Sequence, residues 1–243
     1  MAIELNPLEQ FKIVRLVPLH IGPLDVSYTN SALAMTIAVL LIAGMVLVGT
    51  ARPALVPGRL QSMVEMMYEF VADMIDSNVG REAREYLPFV FTLFTFILLA
   101  NLLGLVPYNF TVTSHIIITF ALALLVFVGV TTIGLIRHGF HFLSFFVPHG
   151  VPLVLLIVLV PIEVLSYFIR PFTLSIRLFA NMLAGHTMLA IFGGFAAAIG
   201  LAAIFPVAID IAIMALELLV AVLQAYVFAI LTVLYLRDAI HLH

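Results

Sequence analysis

Residues 86–136 of the chain read YLPFVFTLFTFILLANLLGLVPYNFTVTSHIIITFALALLVFVGVTTIGLI, without one Asp, Glu, Lys or Arg. An uncharged apolar run of about 18 or more residues indicates a helix that crosses a lipid bilayer. This run is long enough for two such helices, and Pro107–Asn109 supplies a turn between them. Further uncharged apolar runs occupy residues 26–51, 178–209 and 218–236. The sequence therefore predicts an all-α integral membrane protein.

The composition of the chain excludes several classes of protein. Hydrophobic residues make up 64% of the 243 residues and charged residues 9%, whereas soluble domains contain about 45–50% apolar and about 25% charged residues. Cysteine is absent, which excludes disulfides and cysteine-ligated metals. A net charge of −3 gives no reason to expect nucleic acid as a partner. No nucleophile–base motif, phosphate loop or dinucleotide fingerprint occurs, so we expect a conduit without a cofactor rather than a catalyst.

The chain is predicted to form a single membrane domain, 1–243, that begins with an N-terminal segment, 1–30. This segment has no apolar core typical of a secretory signal, so the first span is expected to be an uncleaved anchor. The predicted elements after it are a first span at 31–50, a surface helix at 58–78, and spans at 87–106 and 113–137.

The surface helix is inferred from its amphipathic pattern. Apolar residues such as Val64, Val71 and Ile75 recur at helical spacing, and acidic residues occupy the opposite face. Because an acidic face is poorly suited to anionic lipid, a protein partner is preferred over a merely solvated surface.

Residues 150–240 allow two interpretations. Helices over 150–192 and 203–240 would be about 64 and 57 Å long at 1.5 Å per residue, against a hydrocarbon core of about 30 Å. Each segment is therefore either two spans or one strongly tilted helix. Pro171 favours a break, whereas the spacing of polar residues favours continuity, and periodicity leaves both interpretations open.

The basic residues predict the orientation of a chain that crosses the membrane five times. Lys12 and Arg15 fall on one side. The other side receives Arg52, Arg59, Arg81, Arg84, Arg137 and Arg237. Cytoplasmic loops are enriched in Lys and Arg, so the N-terminus is predicted to lie outside and the C-terminus in the cytoplasm.

Charged residues interrupt the last two hydrophobic segments at regular intervals. At mid-membrane each costs about 2.5–3.5 kcal/mol when it is unpaired and dry, so such residues indicate function. Seven-residue spacing places each set on one helical stripe. The first stripe contains Glu163, Arg170 and Arg177, with Ser166, Thr173 and Asn181 close by; the second contains Asp210, Glu217 and Gln224, with Tyr235 further along.

Two facing polar stripes predict a hairpin with a hydrated seam. The alternative is a salt-bridge zipper that only joins two helices, which is disfavoured because buried ion pairs stabilise poorly compared with apolar packing. His186 lies on the opposite face from Arg177; it is either a hydrogen-bonded core residue or a proton carrier with Glu217 as its partner across the hairpin. A metal site at His138, His141 and His149 is disfavoured because no carboxylate lies among them.

Three segments resemble the subunit a family of F-type ATP synthases. They are LSIRLFANMLAGH at 174–186, ANLLGLVP at 100–107 and ELLVAVLQAYVF at 217–228. Many bacterial members carry an acid at the position of His186 and a histidine at that of Glu217. The exchanged pair in this chain is typical of alphaproteobacterial and mitochondrial members, which implies a bacterial inner membrane or, alternatively, the mitochondrial inner membrane.

The resemblance implies a fold and a set of roles. The fold would have five spans and a surface helix, with the last two helices long and strongly tilted around a ring of c subunits. Arg177, flanked by Asn181 and Gln224, would face the carboxylates of that ring. The roles implied for the remaining residues are a proton inlet at Glu217 and His186 with Asn101, Asp210 and Gln224, and an outlet at Glu163 with Ser166, Thr173 and Tyr235.

The family also implies the partners: the c-ring, the b-type subunits of the peripheral stalk and the rest of the synthase, with protons carried across the bilayer. Arg170 would be either an outlet residue or structural. A proton- or sodium-coupled secondary transporter is the main alternative, although such proteins usually show internal repeats, and none is found here.

Overall fold

The computed structural model describes residues 11–18, 20–21, 24–25, 27–106, 110–147, 153–199 and 203–241. In this part of the chain there are six α-helices. They are α1 (Asn30–Thr50), α2 (Arg59–Asn78), α3 (Leu87–Gly104), α4 (Ile116–His138), α5 (Leu153–Ile199) and α6 (Ile204–Ile240). The predicted turn at Pro107–Asn109 lies outside the described residues, and α5 continues seven residues beyond residue 192, where the sequence analysis ended it.

Five of the helices are long and apolar enough to cross a membrane. These are α1, α3 with the 3-10 turn that precedes it, α4, α5 and α6. The chain is therefore an all-α, multi-pass integral membrane protein, as predicted.

Helix α2 is the amphipathic exception. Val64, Val71, Met74 and Ile75 are buried against the rest of the protein, mainly α1, α3 and α6, and the predicted acidic face is exposed at Glu65, Glu69 and Asp73. Leu60 and Met63, which the pattern places on the apolar face, are instead about half exposed, because they belong to the first turns of the helix.

The end of α2 is tied to the beginning of the next span. Arg84 donates a hydrogen bond from Nε to Asp76 Oδ1 at 2.9 Å. This bond to the guanidinium lowers the pKa of the Asp76 carboxyl below its ordinary value. The connection therefore fixes where the surface helix meets α3.

Helices α5 and α6 are each continuous, with 47 and 37 residues. Of the two interpretations that the sequence left open, the structure has the continuous helix, because α5 runs through both Pro161 and Pro171. A proline removes only one backbone hydrogen bond, and membrane helices tolerate this loss where neighbouring helices cover the site. At about 70 and 56 Å, both helices exceed the thickness of the hydrocarbon core, so both must be strongly inclined.

The core lies where α3, α4 and α6 meet. Ile97, Val126 and Phe228 are buried at their contacts, and α5 packs on the α4–α6 side.

Before α1, two pairs of short antiparallel strands form, β1 (Arg15–Val17) with β4 (Tyr28–Thr29) and β2 (His20–Ile21) with β3 (Leu24–Asp25). The sequence pattern does not indicate these strands. Asn30 holds them to α1: its side chain accepts from the Val14 N–H at 3.2 Å and donates to the Lys12 carbonyl at 3.0 Å.

Candidate functional site

The two polar stripes face each other across the hairpin of α5 and α6. Contacts join Arg170 to Asp238, Asn181 to Gln224 and His186 to Glu217, which is an antiparallel register. We call the membrane face on which α1 begins the N-side and the face on which α6 ends the C-side. His186 and Glu217 then lie towards the N-side, and Arg170 and Asp238 towards the C-side.

The N-side end of the hairpin contains a buried acid–imidazole pair. Glu217 is only 4% exposed and His186 only 7%, and His186 Nε2 lies 3.4 Å from Glu217 Oε1. The same nitrogen lies 3.1 Å from the hydroxyl of Thr111. The predicted contact between His186 and Glu217 is therefore present, and it can hold or pass a proton.

Glycine at position 185 creates the room for this pair. A methyl group on Gly185 would lie 2.6 Å from Glu217 Oε1, closer than any ordinary contact. Beside them is a cavity of about 240 Å³, large enough for several water molecules. It is lined by Asn181, Ala184, Gly185, Met188, Ile213, Leu216, Glu217 and Val220.

Several buried polar atoms near this pair have no hydrogen-bond partner among the described residues. They are Asn101 Oδ1, Asp210 Oδ1 and Gln224 Nε2, although Asn101 also donates to the Ala221 carbonyl at 3.1 Å and Gln224 accepts from Asn181 at 3.1 Å. A buried polar atom without a partner costs about 1–3 kcal/mol. Three such groups close to one buried acid could be satisfied by water in the adjoining cavity.

The C-side end of the hairpin contains a cation held by an acid and two aromatic rings. Arg170 donates from Nη1 to Asp238 Oδ2 at 2.9 Å. Its guanidinium lies 5.3 Å from the centre of the Tyr167 ring and 4.9 Å from that of Tyr235. Tyr167 is in turn hydrogen-bonded to Thr131 of α4 at 2.6 Å. Arg170 therefore has at least a structural role, which joins three helices.

Arg177 lies on α5 between these two ends of the hairpin, and its surroundings differ from those of Glu217 and of Arg170. Its neighbours Leu174 and Leu178 are buried in the bundle, whereas Arg177 itself is exposed. Within the described part of the chain it makes no hydrogen bond or ion pair. The salt-bridge zipper would require a carboxylate opposite Arg177, and no carboxylate of the described residues forms an ion pair with it.

The other predicted site residues are more dispersed. Glu163 is half-buried and lies about 10 Å along α5 from Arg170, with no ion pair to the residues that the structure describes. Ser166 and Thr173 are exposed. Asp210 lies near the beginning of α6, opposite Gly193. The structure thus joins His186 to Glu217 and Asn181 to Gln224, and leaves Glu163 and Asp210 at opposite ends of the hairpin.

Two residues that contact the predicted site residues were not predicted from the sequence: Asp238, which binds Arg170, and Thr111, which contacts His186. Asp238 lies fourteen residues after Gln224, so continuing the seven-residue spacing of the second stripe would have found it. Thr111 lies in the connection between α3 and α4, and no periodic signal marks it. Of the three histidines considered as a metal site, His138 bonds the Ile240 carbonyl at 3.1 Å, and His149 lies outside the described residues.

Comparison with known proteins identifies the family of this chain. The family model described as "ATP synthase A chain" matches residues 32–237. Proteins named "ATP synthase subunit a" are similar over almost their whole length: that of Mesorhizobium japonicum is 54% identical, covering 99% of this chain and 98% of its own. Those of Paramagnetospirillum magneticum and Rhodospirillum rubrum are each 52% identical, covering 98% of this chain and 99% of their own. With a matching family model over most of its length, and with its two tilted polar helices, this chain belongs to the ATP synthase A chain family.

Proposed function

We propose that this chain is the proton-translocating stator subunit in the membrane sector of an F-type ATP synthase. It is not catalytic by itself. The polar residues at the N-side and C-side ends of the α5–α6 hairpin line two half-channels, which load and unload the carboxylates of a rotating c-ring. Proton flow is thereby coupled to rotation and ATP synthesis.

The observation that carries this proposal is Arg177, which is exposed and has no ion pair with any residue that the structure describes. Around it the surface of α5 and α6 is apolar, with Ile176 and Leu223 each 51% exposed. A cation in such a place is costly unless an anion meets it. A carboxylate on a moving partner satisfies this need, since a nearby cation lowers the pKa of a carboxyl group and allows it to ionise.

The separation of the two clusters supports two distinct half-channels. Along α5, Arg177 is about 13 Å from His186 and about 10 Å from Arg170. We infer that Glu217 and His186, with Asn101, Asp210 and Gln224, load protons from the N-side. Glu163 and Tyr235 border the release path to the C-side. Arg177, flanked by Asn181, keeps the two paths from joining.

The orientation follows from the distribution of basic residues described above. We propose that the N-side faces outwards and that the C-side is the cytoplasm of a bacterium, with a bacterial inner membrane as the location. Under this orientation a membrane potential contributes about 2.3 kcal/mol per proton charge for each 100 mV, which drives the ring in one direction.

We propose further that α2 contacts the b-type subunits of the peripheral stalk through its exposed acidic face. A photocrosslinker at Glu69 or Asp73 in the intact complex should capture a protein. Capture of lipid alone would reject this contact.

The proposed function is tested by replacing Arg177 in the whole complex, reconstituted into liposomes with an imposed proton gradient. Arg177→Ala should abolish both gradient-driven ATP synthesis and ATP-driven pumping. The subunit stoichiometry should stay normal, because no hydrogen bond or ion pair to the described residues holds this side chain. Arg177→Lys should also be badly impaired, since an ammonium is more strongly hydrated than a guanidinium and not planar. Near-normal synthesis by an assembled Arg177→Ala complex would refute the mechanism.

A further inference from the structure

The connection between α3 and α4 places buried polar groups next to the acid–imidazole pair. Thr111, Thr113 and Ser114 are all at most 4% exposed. Ser114 donates to the Thr111 carbonyl at 2.6 Å, whereas the hydroxyl of Thr113 has no hydrogen-bond partner in the described part of the chain. Residues 111–114 of the connection are thus buried yet polar, and they extend the polar region around Glu217 and His186 along the N-side end of α4.

His115 ends this connection, immediately before α4. Its ring stacks on Phe110, with the ring centres 4.9 Å apart and the planes 16° from parallel. The backbone of Phe11 hydrogen-bonds the ring, while Nε2 is buried and has no partner among the described residues. The histidine is thus held in place on one side, and on the other it has one buried ring nitrogen without a hydrogen-bond partner among the described residues.

Two residues place His115 next to the pair of His186 and Glu217. Phe11, whose backbone bonds His115, also meets the His186 ring edge-on, at 6.3 Å between centres. Thr111, four residues before His115, has its hydroxyl 3.1 Å from His186 Nε2. Both histidines therefore border the same polar region from different elements.

We propose that His115 is a further proton-relay residue, which takes up protons at the N-side mouth and passes them to His186 and Glu217. This inference rests on the function proposed above. The neutral imidazole binds a proton from water and becomes imidazolium. It then releases one proton inwards, through the hydroxyls and water of the cluster, to the Glu217 carboxylate, and returns to the neutral ring. No other reactant is consumed.

The surroundings of His115 suit this exchange. Burial lowers the pKa of the imidazole below its ordinary value, so the ring is neutral at neutral pH and is able to accept a proton. No carboxylate of the described residues forms an ion pair with it, so an accepted proton is not trapped.

The test compares two substitutions of His115 in the whole complex in liposomes under an imposed gradient. Glutamine retains hydrogen-bonding capacity for the Phe11 backbone but cannot titrate, whereas alanine leaves space that free imidazole can occupy. We expect both variants to assemble and to lose ATP synthesis roughly tenfold or more. Added imidazole should restore part of the rate of His115→Ala. His20→Gln, which changes an exposed histidine of β2, should stay within about twofold of the unmodified complex, because His20 takes no part in the contacts among Thr111, His115, His186 and Glu217 described above.

Three results would overturn the proposal. They are a normal rate in His115→Gln, a loss in His115→Ala that imidazole does not relieve, and failure of both variants to assemble, which would assign His115 to folding. Arg177→Ala in the same liposomes separates this inference from the proposed function. If Arg177→Ala abolishes synthesis while His115→Gln is normal, only the relay is wrong; if Arg177→Ala is active, the proposed function itself fails.

Discussion

Replacing Gly185 by alanine should disable the N-side path without disturbing the helix. The added methyl would lie 2.6 Å from Glu217 Oε1 and 2.9 Å from its Cδ. To restore an ordinary contact of 3.4 Å, the carboxylate must retreat by about 0.8 Å. The adjoining cavity gives it room to move, so the expected result is displacement from His186 rather than unfolding. Alanine also favours a helix over glycine by about 1 kcal/mol.

A displacement of about 1 Å at a reacting group costs roughly a hundredfold in rate. We therefore expect Gly185→Ala to reduce gradient-driven ATP synthesis in liposomes by roughly ten- to a hundredfold, with normal assembly. Gly193→Ala is the matched control, because its methyl would meet Asp210 Oδ2 at an ordinary 3.7 Å; it should remain close to the unmodified rate.

A second substitution tests whether the contact with Glu217 is the cause. Aspartate is one methylene shorter than glutamate, so Gly185→Ala combined with Glu217→Asp should be more active than Gly185→Ala alone. A normal rate in Gly185→Ala, or a double variant that is worse than both single variants, would refute the reasoning.

Three further outcomes are expected. Glu217→Gln should slow gradient-driven synthesis strongly and Glu217→Asp less, because only the latter retains a titratable group; equal rates in both would argue against proton transfer at this residue. Cysteines introduced at Lys12 and Arg81 should react with an impermeant reagent from opposite sides of the membrane, and labelling from one side would contradict the five-span orientation. Arg170→Ala should lower the melting temperature of the complex more than Asp238→Asn does. The loss of Arg170 removes two ring contacts as well as an ion pair worth about 1 kcal/mol or less. The reverse order in a thermal-unfolding experiment would contradict this explanation.

The membrane-crossing helices could be predicted from the sequence because the bilayer requires each span to be apolar over a minimum length. A span needs about 20 apolar residues, so α1, α3 and α4 are visible as uncharged runs. The amphipathic pattern of α2 is equally direct, since its buried residues Val64 and Val71 are seven apart. The facing stripes of α5 and α6 were likewise predictable, because a seven-residue repeat nearly closes two helical turns.

Local signals were less informative where two effects opposed each other. Pro171 favoured a break in α5 and the spacing of polar residues favoured continuity. The helix continues, because packing against α4 and α6 outweighs the lost hydrogen bond. The small strands before α1 carried no pattern long enough to recognise. The role of Arg170 was open until the structure placed Asp238, Tyr167 and Tyr235 around it.

The sequence by itself determined which segments enter the membrane and which helical faces are polar, because both depend on the spacing of neighbouring residues. Only the tertiary structure decided which polar groups meet. The contacts of His186 with Thr111 and Glu217 join segments 75 and 31 residues apart, and His115 reaches the same cluster through Phe11. Such contacts depend on the crossing angle and register of packed helices. A shift of one residue rotates a helical side chain by about 100°, and no local pattern encodes that angle.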